Sequence, residues 1–206
     1  MTRPARLIAV VGTHTEVGKT WVSRQLLAQA RNHGQRVAAR KPVQSFSPGD
    51  ETTDAQLLAA ATAEASDAVC PPHRSYPVAM APPMAADLLG RPRILMNDLL
   101  AEIAWAPDTD LGLVETVGGV RSPLAHDGDS LDLLRRLAPD TVLLVADAGL
   151  GTVNAVRLSL QSLAPTPAVV FLNRFDGSNP LHRLNQQWLR ERDGVLAYTR
   201  VDDLRV

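Results

Sequence analysis

The chain has little cysteine, few aromatics and no block of like charge. One cysteine in 206 residues, Cys70, excludes an internal disulfide framework and fits a reducing cytoplasm. Aromatics make up 4%, so a core must be built from Leu, Val, Ile and Ala. Net charge is −1 and no long basic run occurs, which removes the electrostatic footprint of a nucleic-acid binder. No apolar stretch has the length of a membrane span. Residues 1–6 carry two arginines and lead straight into an apolar run, not into a signal-peptide pattern. The five histidines show no ligand spacing, and no repeat or low-complexity linker divides the sequence. With 45% hydrophobic and 21% charged residues, the composition is that of a soluble globular protein, read as one domain over 1–206.

What is present centres on Gly12-Thr13-His14-Thr15-Glu16-Val17-Gly18-Lys19-Thr20. An apolar run, 7–11, precedes it and a helical pattern, 21–30, follows. Strand, glycine-bounded loop and helix together are the context of a phosphate-binding loop, whose backbone N–H groups and helix N-terminus point at a phosphate. Five residues separate Gly12 from Gly18-Lys19-Thr20, where the standard pattern has four. Lys19 is expected to reach the β- and γ-phosphates of a nucleotide, and the Thr20 hydroxyl to sit on Mg²⁺.

Further strands are predicted over 36–40, 111–114, 141–146, 168–172 and 195–198. Helices are predicted from Thr53 to about 63 and over 84–89, 96–103, 129–137, 153–163 and from Pro180. Thr53 with Gln56 makes a capping box, and Ser178-Asn179-Pro180 opens a helix with proline at its first position. An irregular stretch, 71–83, lies between. This alternation specifies an α/β fold: three layers, a doubly wound, mostly parallel sheet of the P-loop NTPase type. Its ligands lie at the carboxyl ends of the strands.

Each of those ends carries polar or glycine-rich chemistry. Glu115 closes an apolar strand, where it either binds a cation such as Mg²⁺ or ends the strand in solvent. Lys41 is either a solvated strand end or a second cation facing a transferring phosphoryl group. Asp54 reads first as an acid favoured by the helix dipole. Asn173, with Asp176, can meet a nucleobase edge, since an amide both donates and accepts; a plain loop reading stands beside it.

These residues together resemble the dethiobiotin synthetase family. Gly12 to Thr20 is similar to that family's Gly-Thr-x-Thr-x-Val-Gly-Lys-Thr, extra residue included. Lys41-Pro42-Val43-x-Ser45 resembles its Lys-Pro-Val-x-[Ser/Thr], and Thr53-Asp54-Ala55 its Ser/Asp-Asp-Ala helix start. Tyr76 to Ala86 is similar to its proline-containing segment. Val114-Glu115-x-x-Gly118-Gly119 resembles Val-Glu-Gly-Ala-Gly-Gly, and Leu150-Gly151-Thr152-x-Asn154 resembles Leu-Gly-[Thr/Cys]-[Ile/Leu]-Asn.

The resemblance implies an ATP- and Mg²⁺-dependent cyclo-ligase of biotin biosynthesis. It would join CO₂ to 7,8-diaminopelargonic acid through a carbamate and a carbamic–phosphoric anhydride. By matching position, Lys19, Lys41 and Thr15 would be catalytic. Gly12, Thr13, Glu16, Val17, Gly18, Lys19, Thr20 and Asn173 would bind ATP, and Thr20, Asp54 and Glu115 would hold Mg²⁺. Thr15, Lys41, Ser45 and Gly118 would hold the substrate. Gly151, Thr152, Val153 and Asn154 would reach its carboxylate across a homodimer, so that the site lies at the subunit interface. The chain departs from the pattern at Thr116 and Val117, which replace Gly-Ala, and at Ala155, where a histidine often stands. Its last strand lacks a Gly-x-[Ile/Leu]-Pro ending and Val206 follows soon after, which leaves the nucleobase preference open. A partitioning-type regulatory ATPase or a non-catalytic nucleotide-binding paralogue are the alternative readings.

Overall fold

The apolar runs become a sheet in the computed structural model, which describes residues 3–204; Met1, Thr2, Arg205 and Val206 of the expected domain lie outside the described residues. The elements in chain order are β1 (Arg6–Gly12), α1 (Lys19–Asn32), β2 (Val37–Arg40), β3 (Gln44–Ser45), α2 (Asp54–Thr62), α3 (Ser66–Val69), β4 (Ser75–Tyr76), α4 (Pro82–Leu88) and α5 (Met96–Glu102). Then come β5 (Leu111–Gly119), β6 (Pro123–Ala125), β7 (Gly128–Asp129), α6 (Ser130–Leu137), β8 (Thr141–Asp147), α7 (Thr152–Leu163), β9 (Ala168–Asn173), α8 (Pro180–Asp193) and β10 (Ala197–Tyr198).

Six strands form one parallel sheet in the order β10-β9-β8-β1-β5-β2. The chain winds outward from β1 to β2 and then crosses to the other side through β8, so β1 sits at the topological switch. Ligand sites of open α/β sheets lie at such a point. The alternation along β1 shows both faces covered. Ile8 and Val10 pack with Val22, Leu26 and Leu27 of α1 and Leu58 of α2. Ala9 and Val11 pack with Leu131, Val156 and Leu189 of α6, α7 and α8. Leu7 and Val114 lie over α4 and α5. Burial on both faces explains why these strands read as continuous apolar runs.

Several boundaries move. Helix α1 starts at Lys19, two residues before the predicted 21, and α4 starts at Pro82, with proline in the first turn as its fixed φ allows. The strand predicted over 111–114 runs on to Gly119, because Glu115 pairs with Val10 and Gly119 with Gly12 across a register shift. Thr116 and Val117 are β-branched and suit that extension. The strand predicted over 195–198 shortens to Ala197–Tyr198, since Gly194 and Val195 are used to end α8. The stretch 71–83 contains β4, which pairs with β3, and the hairpin β6–β7 had no sequence signal. The capping box at Thr53 and the Asn179–Pro180 cap form as read. No helix among the described residues is long and apolar enough to cross a membrane.

Candidate nucleotide and acceptor site

The loop between β1 and α1 is held by backbone and by its neighbours. Thr13 N–H donates to Val145 O at 2.9 Å, and Val17 is fully buried against α1. Asn173, at the end of β9, donates from Nδ2 to Val17 O at 2.9 Å. Gly18 has φ +89°, and a Cβ there would collide with that Asn173 amide, so both conformation and space require glycine. Lys19 then turns inward and donates to Gly118 O at 2.9 Å.

Beside the loop lies a buried charge centre. Glu115 is fully buried in β5 and Lys41, just after β2, is 2% exposed. Lys41 Nζ donates to Glu115 Oε1 at 2.8 Å and pairs with Asp54 Oδ2, in the first turn of α2, at 2.7 Å. The solvated-strand-end reading of Lys41 and the solvent reading of Glu115 are both excluded. Ser23, one turn along α1 from Thr20, donates to Glu115 Oε2 at 2.7 Å. The Thr20 hydroxyl stands 2.8 Å from both Asp54 Oδ1 and Glu115 Oε1. With a single hydrogen it can donate to only one of them at a time. Two carboxylate oxygens converging on one hydroxyl form an all-oxygen set that fits Mg²⁺, which takes one or two carboxylates and completes its shell with water and substrate phosphates.

The charges set one another. Burial first, and the neighbouring Lys41 cation second, push the Lys19 ammonium down to about 8. Burial also works against the Lys41 charge, but the Asp54 and Glu115 carboxylates outweigh it and raise Lys41 above its ordinary range. The Lys41 cation in turn holds Asp54 down to about 2.

A cavity of about 680 Å³ opens over this centre. Of the predicted site residues, Thr15, Glu16, Gly18, Lys19, Thr20, Lys41, Ser45, Asp54 and Gly118 line it. Gly12, Val17, Glu115 and Asn173 do not line it, and Asn173 braces the loop through Val17 O. Ser45 donates to Met80 O at 2.6 Å, which ties it to the segment before α4. Thr13 and Thr15 also line a neighbouring cavity of about 420 Å³ that reaches Leu158 and Ser159 of α7. Gly151, Thr152, Val153 and Asn154 open α7 and line neither cavity. The Thr152 hydroxyl there is buried without a hydrogen-bond partner, while Leu150 is 93% exposed.

Three contributors escaped the sequence reading: Ser23, Gln44 and Arg174. Ser23 could have been found from its position three residues after Thr20 on one helix face. Gln44 accepts from Ala55 N–H at 3.0 Å and so positions the start of α2, a contact between distant elements with no local signal. Arg174 donates to Glu16 O of the loop and to Asp147, again across elements.

The chain matches known proteins in sequence and in fold. The AAA domain family model matches residues 6–200. An ATP-dependent dethiobiotin synthetase of Haloferax mediterranei is 39% identical over 97% of this chain and 85% of its own length. One from Phenylobacterium zucineum is 41% identical over 75% of this chain and 68% of its own. A putative plasmid partition protein of Borrelia burgdorferi, solved with AMPPNP bound, matches in structure with a TM-score of 0.54. The match covers 99% of this chain and 93% of that one, at 15% identity, and the likeness is one of fold.

Proposed function

This chain belongs to the ATP-dependent dethiobiotin synthetase family, and on that premise we propose that its cavity closes a cyclic urea on 7,8-diaminopelargonic acid with CO₂ and ATP. It is an ATP-dependent ligase of biotin synthesis. One amine of the diamine adds to CO₂ and loses a proton, giving a carbamate. A carbamate oxygen attacks the γ-phosphorus of ATP, the bond to ADP breaks, and a carbamic–phosphoric anhydride forms. The second amine attacks its carbonyl carbon, phosphate leaves, and the ring closes.

The chain's part in this is positioning and charge, as in other phosphoryl transfers. Backbone N–H groups of the loop between Thr13 and Lys19 cradle the phosphates at the start of α1. Lys19 and Lys41 face the same cavity and neutralise the carbamate and the transferring phosphoryl group. Thr15 and Ser45 hold the diamine or carbamate, with Gly118 on the substrate side. Thr20, Asp54 and Glu115 hold Mg²⁺, which supplies charge neutralisation at the phosphate oxygens when bound. Asn173 fixes the loop and, by matching position, contacts the base. The helix N-terminus at Gly151, Thr152, Val153 and Asn154 suits the substrate carboxylate of a second copy, in a homodimer working in the cytoplasm.

The observation that carries this reading is a buried Lys41 paired with Asp54 and Glu115, with Lys19 facing the same cavity beside a phosphate loop. The test is to incubate the protein with ATP, Mg²⁺, bicarbonate and the diamine, and to follow dethiobiotin by mass spectrometry and phosphate by colour. Product with diamine-dependent phosphate is expected. Phosphate released equally without diamine would replace the ligase reading with a switch ATPase.

A further inference from the structure

Four non-glycine residues among those described have φ in the left-handed region: Glu16 at 62°, Ala63 at 60°, Ala138 at 44° and Arg174 at 56°. Ala63 and Ala138 end helices α2 and α6, an ordinary place for that conformation. Glu16 and Arg174 do not end helices, and they are bonded to each other. Such strain persists only where surrounding contacts over-determine it, and it concentrates at functional sites.

We propose that Arg174 is a positioning residue which, anchored by Asp147, sets the shape of the phosphate loop and ties it to the turn between β8 and α7. This rests on the reading that the loop binds ATP. Arg174 Nη2 donates to Glu16 O at 2.7 Å, and Nη1 donates to Asp147 Oδ2 at 3.0 Å. The other Asp147 oxygen accepts from Gly149 N–H at 2.8 Å, at the start of that turn. Asn173 holds the next loop carbonyl, Val17 O. Two successive residues at the end of β9 therefore hold two successive carbonyls of the loop. In a planar trans peptide the N–H points opposite to the C=O. Fixing the Glu16 and Val17 carbonyls therefore fixes the Val17 and Gly18 N–H groups in the opposite direction, as phosphate donors.

The pair is solvent-facing, with Arg174 59% and Asp147 34% exposed, so it adds little to the stability of the fold. Its value lies in orientation, and that separates it from a structural role. The test uses Arg174→Met, which keeps length and removes every donor, together with Asp147→Asn, the double variant and Arg174→Lys. Readouts are the Kd for ATP by calorimetry, the KM values for ATP and for the diamine, kcat and Tm. Arg174→Met is expected to raise both Kd and KM for ATP about tenfold, the weight of a charge-assisted hydrogen bond, with kcat and the diamine KM near wild type. Asp147→Asn moves the same parameters less. The double variant is no worse than Arg174→Met, because the two act in series. Arg174→Lys, lacking the fork, restores only part of the affinity. Unchanged ATP affinity in Arg174→Met overturns the inference, as does multiplication of the two single effects or a fall in Tm and kcat together. A wild type that binds no ATP overturns the reading of the loop, and this inference with it; a binding wild type with an indifferent Arg174→Met overturns this inference alone.

Discussion

Lys19 shows how one side chain can carry a pH dependence that its residue type does not suggest. Burial and the Lys41 charge bring it down to about 8 in the free protein, below the 10.5 of an ordinary lysine. A depressed lysine loses its proton at lower pH, so the cation that meets the phosphates is present below about 8 and fades above it. Bound phosphates favour the ammonium again, so binding above that pH must take up a proton. ATP affinity is therefore expected to weaken as pH rises through about 8. Calorimetry at pH 9 in two buffers of different ionisation enthalpy should show proton uptake that is absent at pH 7. Lys19→Arg, which stays charged, should lose that uptake. Equal affinity at pH 7 and 9 with no buffer dependence would refute the account.

At the scale of elements, Lys41 is the joint between three of them: it follows β2, pairs with Asp54 on α2 and with Glu115 in β5. Removing one partner of a fully buried pair leaves the other charged and unpaired, at a cost of about 3–5 kcal/mol. That figure applies to Glu115, which is fully buried; Asp54, 41% exposed, adds little. Lys41→Met is expected to lower the urea midpoint accordingly without changing the m-value, and Lys41→Met with Glu115→Gln to recover part of the loss. A midpoint equal to wild type in Lys41→Met would contradict the burial. The same joint shows what the sequence could and could not tell. Lys41, Asp54 and Glu115 were legible as residues at strand and helix ends, because period and capping are local. Their mutual contact was not, because it depends on β5 lying between β1 and β2, a sheet order no local pattern encodes. The extension of β5 through Thr116 and Val117 was missed for a related reason. Two glycines after Glu115 read as a loop, whereas pairing with β1 resumes at Gly119 after a register shift and keeps the segment in the strand.

At the scale of the whole molecule, the residues assigned to one reaction fall into two groups. Thr15, Lys19, Lys41 and Ser45 line one cavity, while Gly151, Thr152, Val153 and Asn154 lie outside it at the head of α7. If each working site takes the first group from one chain and the second from another, lesions in the two groups must complement. Lys19→Gln removes a cation that burial already disfavours, and Asn154→Asp sets a like charge against the substrate carboxylate at an exposed position; neither should unfold the chain. Each homogeneous variant is expected to be nearly inactive. In an equimolar co-expressed mixture half the dimers are mixed, and each mixed dimer has one site with both lesions and one with none. About a quarter of wild-type activity should therefore return. Light scattering should give twice the chain mass for each preparation. A mixture no more active than the mean of its parents would mean that both groups serve one site within a single chain, or that the head of α7 takes no part, and activity in purified Asn154→Asp decides between those two.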